Sequence, residues 1–407
     1  MNVAIIGGGA AGFFSAINVK ENYPKAEVVI YEKTKKLLAK VKVSGGGRCN
    51  VTNGLKSISE LYKAYPRGGK KVKKILEEFN TTDTINWFES RNVPLYTQSD
   101  NRVFPKSDNS QSIIDCLFKE IKKKSISIEI GVNVEKIIVL KKNIQLNFKN
   151  SKKAKIFDKV IIASGGSPKI DGLNWLKELG HKIEPPVPSL FTFNNPKNPI
   201  TKMMGLVAEN TRVTIQGTKL FSSGPLLITH WGFSGPAILK TSAFGARILS
   251  EKKYLFNIQV NWINETNNEK IEIELNEIKK RHSKKNIKNL RPFNLPERLW
   301  SFLIKKSQIS SEKKWSELGN KSINKLVNLL SNDIYQINGK TTFKEEFVTC
   351  GGVSLDSINL KTMESNICKN LYFAGEIMDI DAITGGYNFQ AAWSTGFIAG
   401  KLKGQII

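Results

Sequence analysis

The hydrophobic pattern of the first thirty residues predicts a β-α-β unit. Val3 to Ile6 is a short, continuous apolar run followed by glycines, which is typical of a strand buried on both faces. Phe13 to Val19 has helical character, and the run AEVVIYE from Ala26 predicts a second strand that ends on Glu32.

Two apolar runs farther along the chain also have the character of buried strands. Residues 159–163, KVIIA, run into Gly165-Gly166, and residues 370–374, NLYFA, end at Gly375-Glu376. A glycine pair then opens a predicted helix from about Asn388 to Ala399. These runs predict an α/β domain assembled from both ends of the chain.

The middle of the chain changes character twice. From about Ser189 to Trp262 the pattern is short, β-rich and interrupted by glycines, which suggests a small barrel or sandwich. From Glu269 to Asn332 the signals are helical, and Trp300, Phe302 and Leu303 fall at the spacing of core residues. We therefore predict four segments: residues 1–188, a β-rich insert over 189–265, a helical insert over 266–340, and a return to the first domain over 341–407.

The charge is the unusual feature of the composition. The chain has 407 residues with 40% hydrophobic content, as in an ordinary globular protein, but its net charge is +26. Such a charge suits a polyanionic partner or an anionic membrane surface. Lysine pairs scattered along the whole chain favour the simpler interpretation, a surface solvated by lysines, over a nucleic-acid partner.

Residues 279–291, KKRHSKKNIKNLR, are the most basic segment. Seven of these thirteen residues are Lys or Arg and none is acidic. One interpretation is a surface for an anionic partner, nucleic acid above all. We favour a solvated linker between helices, because the segment has no interleaved aromatic residues for base stacking.

The cysteines and the apolar runs predict a cytoplasmic protein without a metal site. The four cysteines lie far apart and form no C-x-x-C pair, so neither a zinc site nor a disulfide scaffold is expected. The N-terminus lacks the basic start and cleavage site of a signal peptide. No apolar run approaches the roughly 20 residues that span a bilayer.

A glycine fingerprint lies between the first predicted strand and helix. Gly7, Gly9 and Gly12 fit G-x-G-x-x-G, and Glu32 follows 20 positions after the last of them. The first glycine allows a tight turn, the second lets the backbone meet a pyrophosphate, and the third allows close packing of helix on strand. The free N–H groups at the helix start favour phosphate charge, and the acid accepts hydrogen bonds from a ribose. The unit is predicted to bind a dinucleotide.

Three more glycine-rich stretches indicate a long ligand. They are SGGGRCN (residues 44–50), ASGG (163–166), and the segment from Gly375 through Gly385-Gly386. If the ligand were NAD alone, the rest of a nicotinamide-binding domain should follow directly after the β-α-β unit. The sequence shows no such domain there. A ligand touched by all of these stretches must lie across a domain formed by both chain ends.

This ordered set of motifs resembles a bacterial family of NAD(P)/FAD-dependent oxidoreductases. The resemblance depends on the motifs G-x-G-x-x-G, SGGGRCNVTN, ASGG and AGE…D…TGGYNFQAA. The family includes aminoacetone-oxidase-like proteins and 3-dehydro-bile-acid reductases, within the superfamily of flavoproteins with two dinucleotide-binding domains. The resemblance covers residues 1 to about 240 and 345 to 407. It implies a Rossmann-like FAD-binding domain with an inserted β-barrel-like and helical domain.

The resemblance also implies which residues bind FAD. SGGGRCN is expected to line the flavin, Glu376 to bind a ribityl hydroxyl with Asp379 as a second candidate, and Val134 to contact adenine through its backbone. A helix that starts near Gly386 would direct its positive end at the flavin N1/C2 carbonyl. The predicted cofactor-binding residues are Gly7, Gly9, Ala11, Gly12, Glu32, Lys33, Ser44, Gly45, Gly46, Gly47, Arg48, Cys49, Asn50, Val134, Ala163, Ser164, Gly165, Gly375, Glu376, Asp379, Gly385, Gly386 and Asn388.

Two residues are candidates for proton donation to a substrate. His230, in THWGFSGPAIL, is one of only three histidines and a candidate proton donor, and a structural role for it is the alternative. Tyr387 is able to donate a hydrogen bond to a carbonyl. Cys49 suggests a redox thiol, but no resolving cysteine lies near it in sequence.

We therefore predict an FAD-dependent oxidoreductase that passes hydride through flavin N5. The expected substrate is a small organic molecule, either an enone that is reduced or an amine that is oxidised. Because only one ribose-binding acid is found, NAD(P)H either visits the flavin transiently as electron donor or is not used. The alternatives are a flavoprotein acting on RNA and a non-catalytic flavin-binding electron carrier.

Overall fold

The chain folds into two compact units. The computed structural model describes residues 1–149, 153–342 and 348–404. The first unit takes in residues 1–189 and 343–407, and the second takes in residues 190–342. Both ends of the chain thus contribute to one unit. The four-segment division stays a prediction.

The regular elements follow the chain in three groups. Up to residue 189 they are β1 (Asn2–Ile6), α1 (Ala10–Asn22), β2 (Glu27–Glu32), α2 (Ala39–Val43), β3 (Thr52–Asn53), α3 (Ile58–Leu61), α4 (Gly69–Glu78), α5 (Thr81–Glu89), β4 (Leu95–Thr97), β5 (Arg102–Pro105), α6 (Gln111–Lys123), β6 (Ser127–Ile130), β7 (Val134–Val139), β8 (Ile144–Phe148), β9 (Lys155–Phe157), β10 (Lys159–Ile162), α7 (Asn174–Lys177) and β11 (Ile183–Ser189). The second unit contains β12 (Thr192–Asn194), β13 (Val207–Ile215), β14 (Phe221–Thr229), β15 (Gly232–Ser234), α8 (Pro236–Phe244), α9 (Ala246–Glu251), β16 (Leu255–Asn261), α10 (Asn268–Arg281), α11 (Glu297–Ser307), α12 (Asn320–Ser331), β17 (Asp333–Asn338) and β18 (Lys340–Thr341). The chain then adds β19 (Val348–Val353), β20 (Ile358–Asn359), β21 (Glu364–Ser365), β22 (Leu371–Phe373) and α13 (Tyr387–Gly400).

A mostly parallel sheet forms the centre of the first unit. Its strand order is β20-β21-β22-β10-β1-β2-β6, and the five strands from β22 to β6 run parallel. Ile5 of β1 pairs with Ile30 of β2 on one side and with Ile161 of β10 on the other. All three of these side chains are fully buried, as their continuous apolar runs predict. The predicted α/β fold built from both chain ends is confirmed.

The first and last helices of this unit pack closely against each other. A Cβ added at Gly396 of α13 would lie 3.0 Å from the carbonyl oxygen of Ala11, and one added at Gly400 would lie 2.5 Å from Cβ of Asn18. The indole of Trp393 donates a hydrogen bond of 2.9 Å to the carbonyl of Val51. Residues near both termini are therefore held in one core.

The second unit is an antiparallel sheet that shares one core with its helices. The strand order is β17-β16-β13-β14-β15-β12-β18. Tyr335 from β17 and Trp262, which directly follows β16, lie in the same hydrophobic cluster as Trp300 and Leu303 from α11. Trp300 and Leu303 are fully buried, whereas Phe302, which is predicted with them, is only partly buried against the same cluster. No helix in the described ranges is long and apolar enough to span a membrane.

Candidate cofactor site

The fingerprint loop connects β1 to α1 as predicted. A Cβ at Gly7, whose φ is +119°, would lie 2.3 Å from the carbonyl oxygen of Ala163, and a Cβ at Gly12 would lie 1.9 Å from the carbonyl oxygen of Gly7. Neither position therefore accommodates a side chain. Gly9 caps α1, and a Cβ there would meet nothing within 4 Å. The start of the helix has the free backbone and space that a phosphate requires.

Glu32 is oriented by backbone donors. Its carboxylate accepts hydrogen bonds of 2.8 Å from the N–H groups of Gly8 and Thr34. A cavity of about 430 Å³ lies beside it, lined by Trp175 and by six of the predicted residues: Gly7, Glu32, Lys33, Val134, Ser164 and Gly165. The structure thus brings together, in one cavity, residues predicted from four separate stretches of sequence.

The backbone of the SGGGRCN loop has a conformation that residues other than glycine rarely adopt. Gly45, Gly46 and Gly47 have φ values of +59°, +69° and +86°. A Cβ at Gly45 would lie 2.9 Å from the ring of Phe104, whereas Cβ atoms at Gly46 and Gly47 would meet nothing within 4 Å. The loop folds back on itself through a 2.9 Å hydrogen bond from the N–H of Cys49 to the carbonyl of Ser44. It therefore presents open backbone on one side and is packed on the other.

Phe104 supports this loop and was not predicted from the sequence. It is buried on β5, which pairs with β3 and β4 in a small antiparallel sheet. The guanidinium of Arg48 lies 4.2 Å from the centre of its ring, and Arg48 Nε donates to the carbonyl of Gly45. Cys49 is fully buried, and burial raises the pKa of its thiol to about 12. A neutral, inaccessible thiol does not fit a redox role.

The SGGGRCN loop also meets the start of α13. With its amide oriented to satisfy both neighbours, Asn50 donates to the carbonyl of Thr52 and accepts from the N–H of Gly386 at 2.9 Å. Asn53 Nδ2 donates to the carbonyl of Gly385 at 2.9 Å. A Cβ at Gly386 would lie 2.2 Å from the carbonyl oxygen of Thr52. These contacts hold the N-terminus of the C-terminal helix against a loop more than 330 residues earlier.

Glu376 is held from two sides. Its Oε1 accepts a hydrogen bond of 2.8 Å from the N–H of Thr349, and its Oε2 lies 2.5 Å from Nζ of Lys40. The neighbouring Gly375 packs so tightly that a Cβ there would lie 2.7 Å from Cβ of Ala11. Glu376, which is predicted to bind a ribityl hydroxyl, is thus fixed in the same unit as the fingerprint loop.

Three predicted residues have contacts that suggest supporting roles. The side chain of Asn388 bonds both the N–H and the carbonyl of Ala382, so it braces the turn before α13. The N–H of Asp379 donates to the carbonyl of Val353. The carbonyl of Tyr387 accepts a hydrogen bond from the hydroxyl of Tyr65, and burial raises the pKa of the Tyr387 phenol.

His230 belongs to the second unit. It is exposed on the turn between β14 and β15, and its ring lies 4.1 Å from that of Trp231. The helix that follows β15 is α8, which begins at Pro236. The catalytic role of His230 stays a prediction.

A buried hydroxyl gives an independent test of whether FAD fits. Thr349 is 1% exposed, yet its Oγ1 has no hydrogen-bond partner among the described residues. A Cβ at Gly166 would lie 2.6 Å from this oxygen and 2.8 Å from Oε1 of Glu376. Because burying a hydroxyl without a hydrogen-bond partner costs free energy, the position of Thr349 favours a polar ligand group at this point. Together with the open backbone at Gly9, Gly46 and Gly47, these donors and spaces fit FAD.

Comparisons with known proteins give the same assignment. Residues 1–402 match the family model described as the HI0933-like protein Rossmann domain. The chain is 28% identical over 408 residues to the 3-dehydro-bile acid delta(4,6)-reductase of Clostridium scindens, an alignment that covers 98% of each protein. It is 27% identical over 404 residues to the ribosomal RNA dihydrouridine synthase of Haemophilus influenzae. That alignment covers 97% of this chain and 96% of that protein.

Solved structures support the fold. The 3-ketosteroid delta1-dehydrogenase of Sterolibacterium denitrificans superposes with a TM-score of 0.52 at 11% identity, covering 98% of both chains. A flavocytochrome c3 fumarate reductase superposes with a TM-score of 0.50 at 16% identity, covering 98% of this chain and 77% of that one. The resemblance inferred from the motifs is confirmed: the chain belongs to the HI0933-like family of Rossmann-domain proteins, and it is an FAD-dependent oxidoreductase.

Proposed function

We propose that this enzyme reduces a carbon–carbon double bond conjugated to a carbonyl group. FAD supplies hydride transfer through its N5 atom when bound. The observation that carries the proposal is the contact of the SGGGRCN loop with the N-terminus of α13, through Asn50 and Gly386. This contact holds the loop against the N-terminus of α13, whose positive end favours the negative charge that gathers on a two-electron carrier after reduction.

The names of the two relatives favour reduction over amine oxidation. A 3-dehydro-bile acid delta(4,6)-reductase acts on a double bond conjugated to a ketone, and a dihydrouridine synthase saturates the uracil double bond that is conjugated to a carbonyl. Both reactions add hydride to one carbon and a proton to its neighbour. The chain must therefore supply a proton donor as well as a cofactor site.

Tyr387 is our first candidate for that donor. Its phenol carries a proton at neutral pH with or without the burial that raises its pKa, so it has a proton to donate to a carbonyl or an adjacent carbon. His230 is the second candidate, since its exposed imidazole lies on a turn of the second unit. NAD(P)H is the proposed electron source and would visit the flavin transiently.

A small enone is the first proposed substrate, and a uridine in RNA is the second. The net charge of +26 and the alignment with ribosomal RNA dihydrouridine synthases over 97% of the chain favour the second. A strongly basic surface raises affinity for nucleic acid at low salt. The two substrates share the reacting group, so they are distinguished by binding rather than by chemistry.

Anaerobic half-reactions test the proposal. The purified flavoprotein is titrated with NADH and then NADPH, and reduction is followed by the loss of visible flavin absorbance. The reduced enzyme is then mixed with a 3-oxo-4-ene steroid, with uridine-containing ribosomal RNA, or with the saturated forms as controls. We expect reoxidation by one unsaturated substrate, with a product that has gained two hydrogen atoms by mass spectrometry. Reoxidation by dioxygen alone, or reduction of the flavin by an amine, would overturn the proposal.

A further inference from the structure

The positive charge of this protein is concentrated in the helical part of the second unit. Residues 279–325 contain fourteen Lys or Arg and three Glu, so these 47 residues carry +11 of the total of +26. This density is much greater than that of the rest of the chain. Surface lysines spread evenly for solubility do not explain it.

The most basic segment is ordered by buried anchors. Residues 279–281 form the last turn of α10, and residues 282–291 lead from it towards α11, with Ile287 fully buried among them. The indole of Trp300 donates a hydrogen bond of 2.9 Å to the carbonyl of Ile287. Trp300 stacks on Trp315 with ring centres 6.3 Å apart and planes 3° apart. The lysines therefore extend from a backbone of fixed shape.

A second lysine-bearing segment lies alongside the first. The N–H of Trp315 donates to the carbonyl of Lys285, and the N–H of Ile287 donates to the carbonyl of Lys313, both at 2.9 Å. Asn286 and Lys314 form an antiparallel bridge between the two segments. Lysines about 28 residues apart in sequence are thus brought side by side.

The two segments form what we call the basic surface: Lys280, Arg281, Lys284, Lys285, Lys313 and Lys314, all exposed. Arg281 pairs with Glu277 at 2.8 Å. Within the described ranges, no ion pair involves any of the five lysines of this set. These five lysines lie close together without ion-pair partners in the described ranges and repel one another, which favours an anionic partner.

We infer that the basic surface docks the phosphate backbone of an RNA. Ammonium groups act as point charges that bind phosphates, and a fixed backbone keeps their spacing constant. None of the large hydrophobic side chains exposed in the described ranges lies within 279–325, so the apolar face of a membrane-bound helix is missing. The surface also has no exposed aromatic ring for base stacking, which points to backbone contacts rather than base readout. The inference rests on the second proposed substrate, a uridine in RNA.

Charge-neutralising variants test the basic surface. Lys284→Gln, Lys285→Gln and Lys314→Gln are combined in one FAD-loaded protein, and Lys119→Gln, Lys122→Gln and Lys123→Gln on α6 are combined in a control with the same charge. Binding to a fluorescein-labelled hairpin RNA is measured by anisotropy over a series of KCl concentrations. We expect the surface variant to bind about tenfold or more weakly, with a salt slope smaller by about 2 to 3, while the control keeps most of its affinity.

The outcomes separate this inference from the proposed function. Equal losses in both variants would show that only the overall charge matters and would overturn the inference, as would surface-dependent binding to phosphatidylserine vesicles without binding to RNA. Dihydrouridine formation is measured on the same samples. If wild-type protein forms dihydrouridine while both variants bind alike, the function stands and the surface assignment fails. If the surface variant alone loses RNA binding and no protein forms dihydrouridine, the surface assignment stands and the RNA-reductase function fails.

Discussion

Arg67 and Asp381, which are 314 residues apart in sequence, form a buried ion pair in the first unit. Nε and Nη2 of Arg67 both donate to the carboxylate, and the hydroxyl of Ser189 donates to the same carboxylate at 2.7 Å. Burial raises the pKa of Asp381, and Arg67 opposes that shift. Asp381 begins the turn that leads to Gly385 and Gly386, so the pair fixes the approach to α13.

Removing one member of this pair is expected to destabilise the protein strongly. Asp381→Asn replaces the buried carboxylate that faces Arg67 with a neutral amide, and breaking a buried ion pair in this way costs about 3–5 kcal/mol. The double variant Arg67→Met/Asp381→Asn removes both charges and is expected to recover part of that loss. Urea unfolding of the wild type, both single variants and the double variant measures the coupling. The exposed pair of Lys71 and Asp356 is the control, where Lys71→Met should leave the unfolding midpoint unchanged. Strictly additive losses at Arg67 and Asp381 would contradict the prediction.

Gly46 is predicted to matter for FAD and not only for folding. Gly46 and Gly217 have φ values of +69° and +75°, and a Cβ at either would meet nothing within 4 Å. Gly46→Ala and Gly217→Ala should therefore each reduce the free energy of unfolding of the apoprotein by about 1–2 kcal/mol, the strain of a side chain in this conformation. Only Gly46→Ala should weaken FAD binding, by about tenfold or more, because its Cβ would occupy the space left for the cofactor. Isothermal titration of the apoproteins with FAD makes the comparison. Equal FAD affinities in the two variants would place the flavin elsewhere.

Thr349 provides a test that does not depend on turnover. Thr349→Val removes a buried hydroxyl without a partner among the described residues, so the apoprotein should keep its stability or gain up to about 1 kcal/mol. The same change should weaken FAD binding by about tenfold, the equivalent of one hydrogen bond of roughly 1.4 kcal/mol. Thr349→Ser keeps the hydroxyl and is the matched control. If Thr349→Val binds FAD as well as wild type does, the hydroxyl has no contact with the cofactor.

The sequence predicts the local parts of the site well. Gly7, Gly9 and Gly12 are recognisable because a strand, a turn and a helix follow one another within a dozen residues. Glu32 is found by its fixed spacing from that turn. Of its neighbours in the cavity, Gly165 belongs to the ASGG motif, whereas Val134 is predicted only through the family resemblance. The central parallel sheet is predictable for a similar reason, since its strands are continuous apolar runs.

The residues that the sequence does not reveal depend on long-range pairing. Phe104 supports Gly45 only because β5 pairs with β3 in one register, and Thr349 reaches Glu376 only because β19 pairs with β11. Trp175 reaches the cavity from a short helix that carries no motif. Phe, Thr and Trp at these positions look like ordinary core residues in the sequence. Their partners are set by tertiary contacts that no local pattern records.

His181 is predicted to give the protein a stability that depends on pH below neutrality. The side chain is 2% exposed, its Nδ1 lies 3.1 Å from the carbonyl of Leu176, and its Nε2 lies 2.8 Å from the hydroxyl of Ser365. Burial lowers the pKa of His181, so the folded protein keeps the ring neutral at a pH where the unfolded chain, with an ordinary pKa of about 6.5, takes up a proton. The contribution of His181 to the free energy of unfolding is therefore fully present above about pH 6.5. It is lost as the pH falls below that value, by at most about 1.4 kcal/mol per pH unit.

His181→Gln removes the titrating group and isolates this effect. The free energy of unfolding, measured in urea for wild type and variant from about pH 8 to pH 5, should differ most near pH 8, and the difference should shrink as the pH falls. Because all other titrating groups are common to both proteins, their contributions cancel in the difference. A difference that stays constant over this range would mean that His181 is protonated equally in the folded and unfolded states, contrary to its buried position between Leu176 and Ser365.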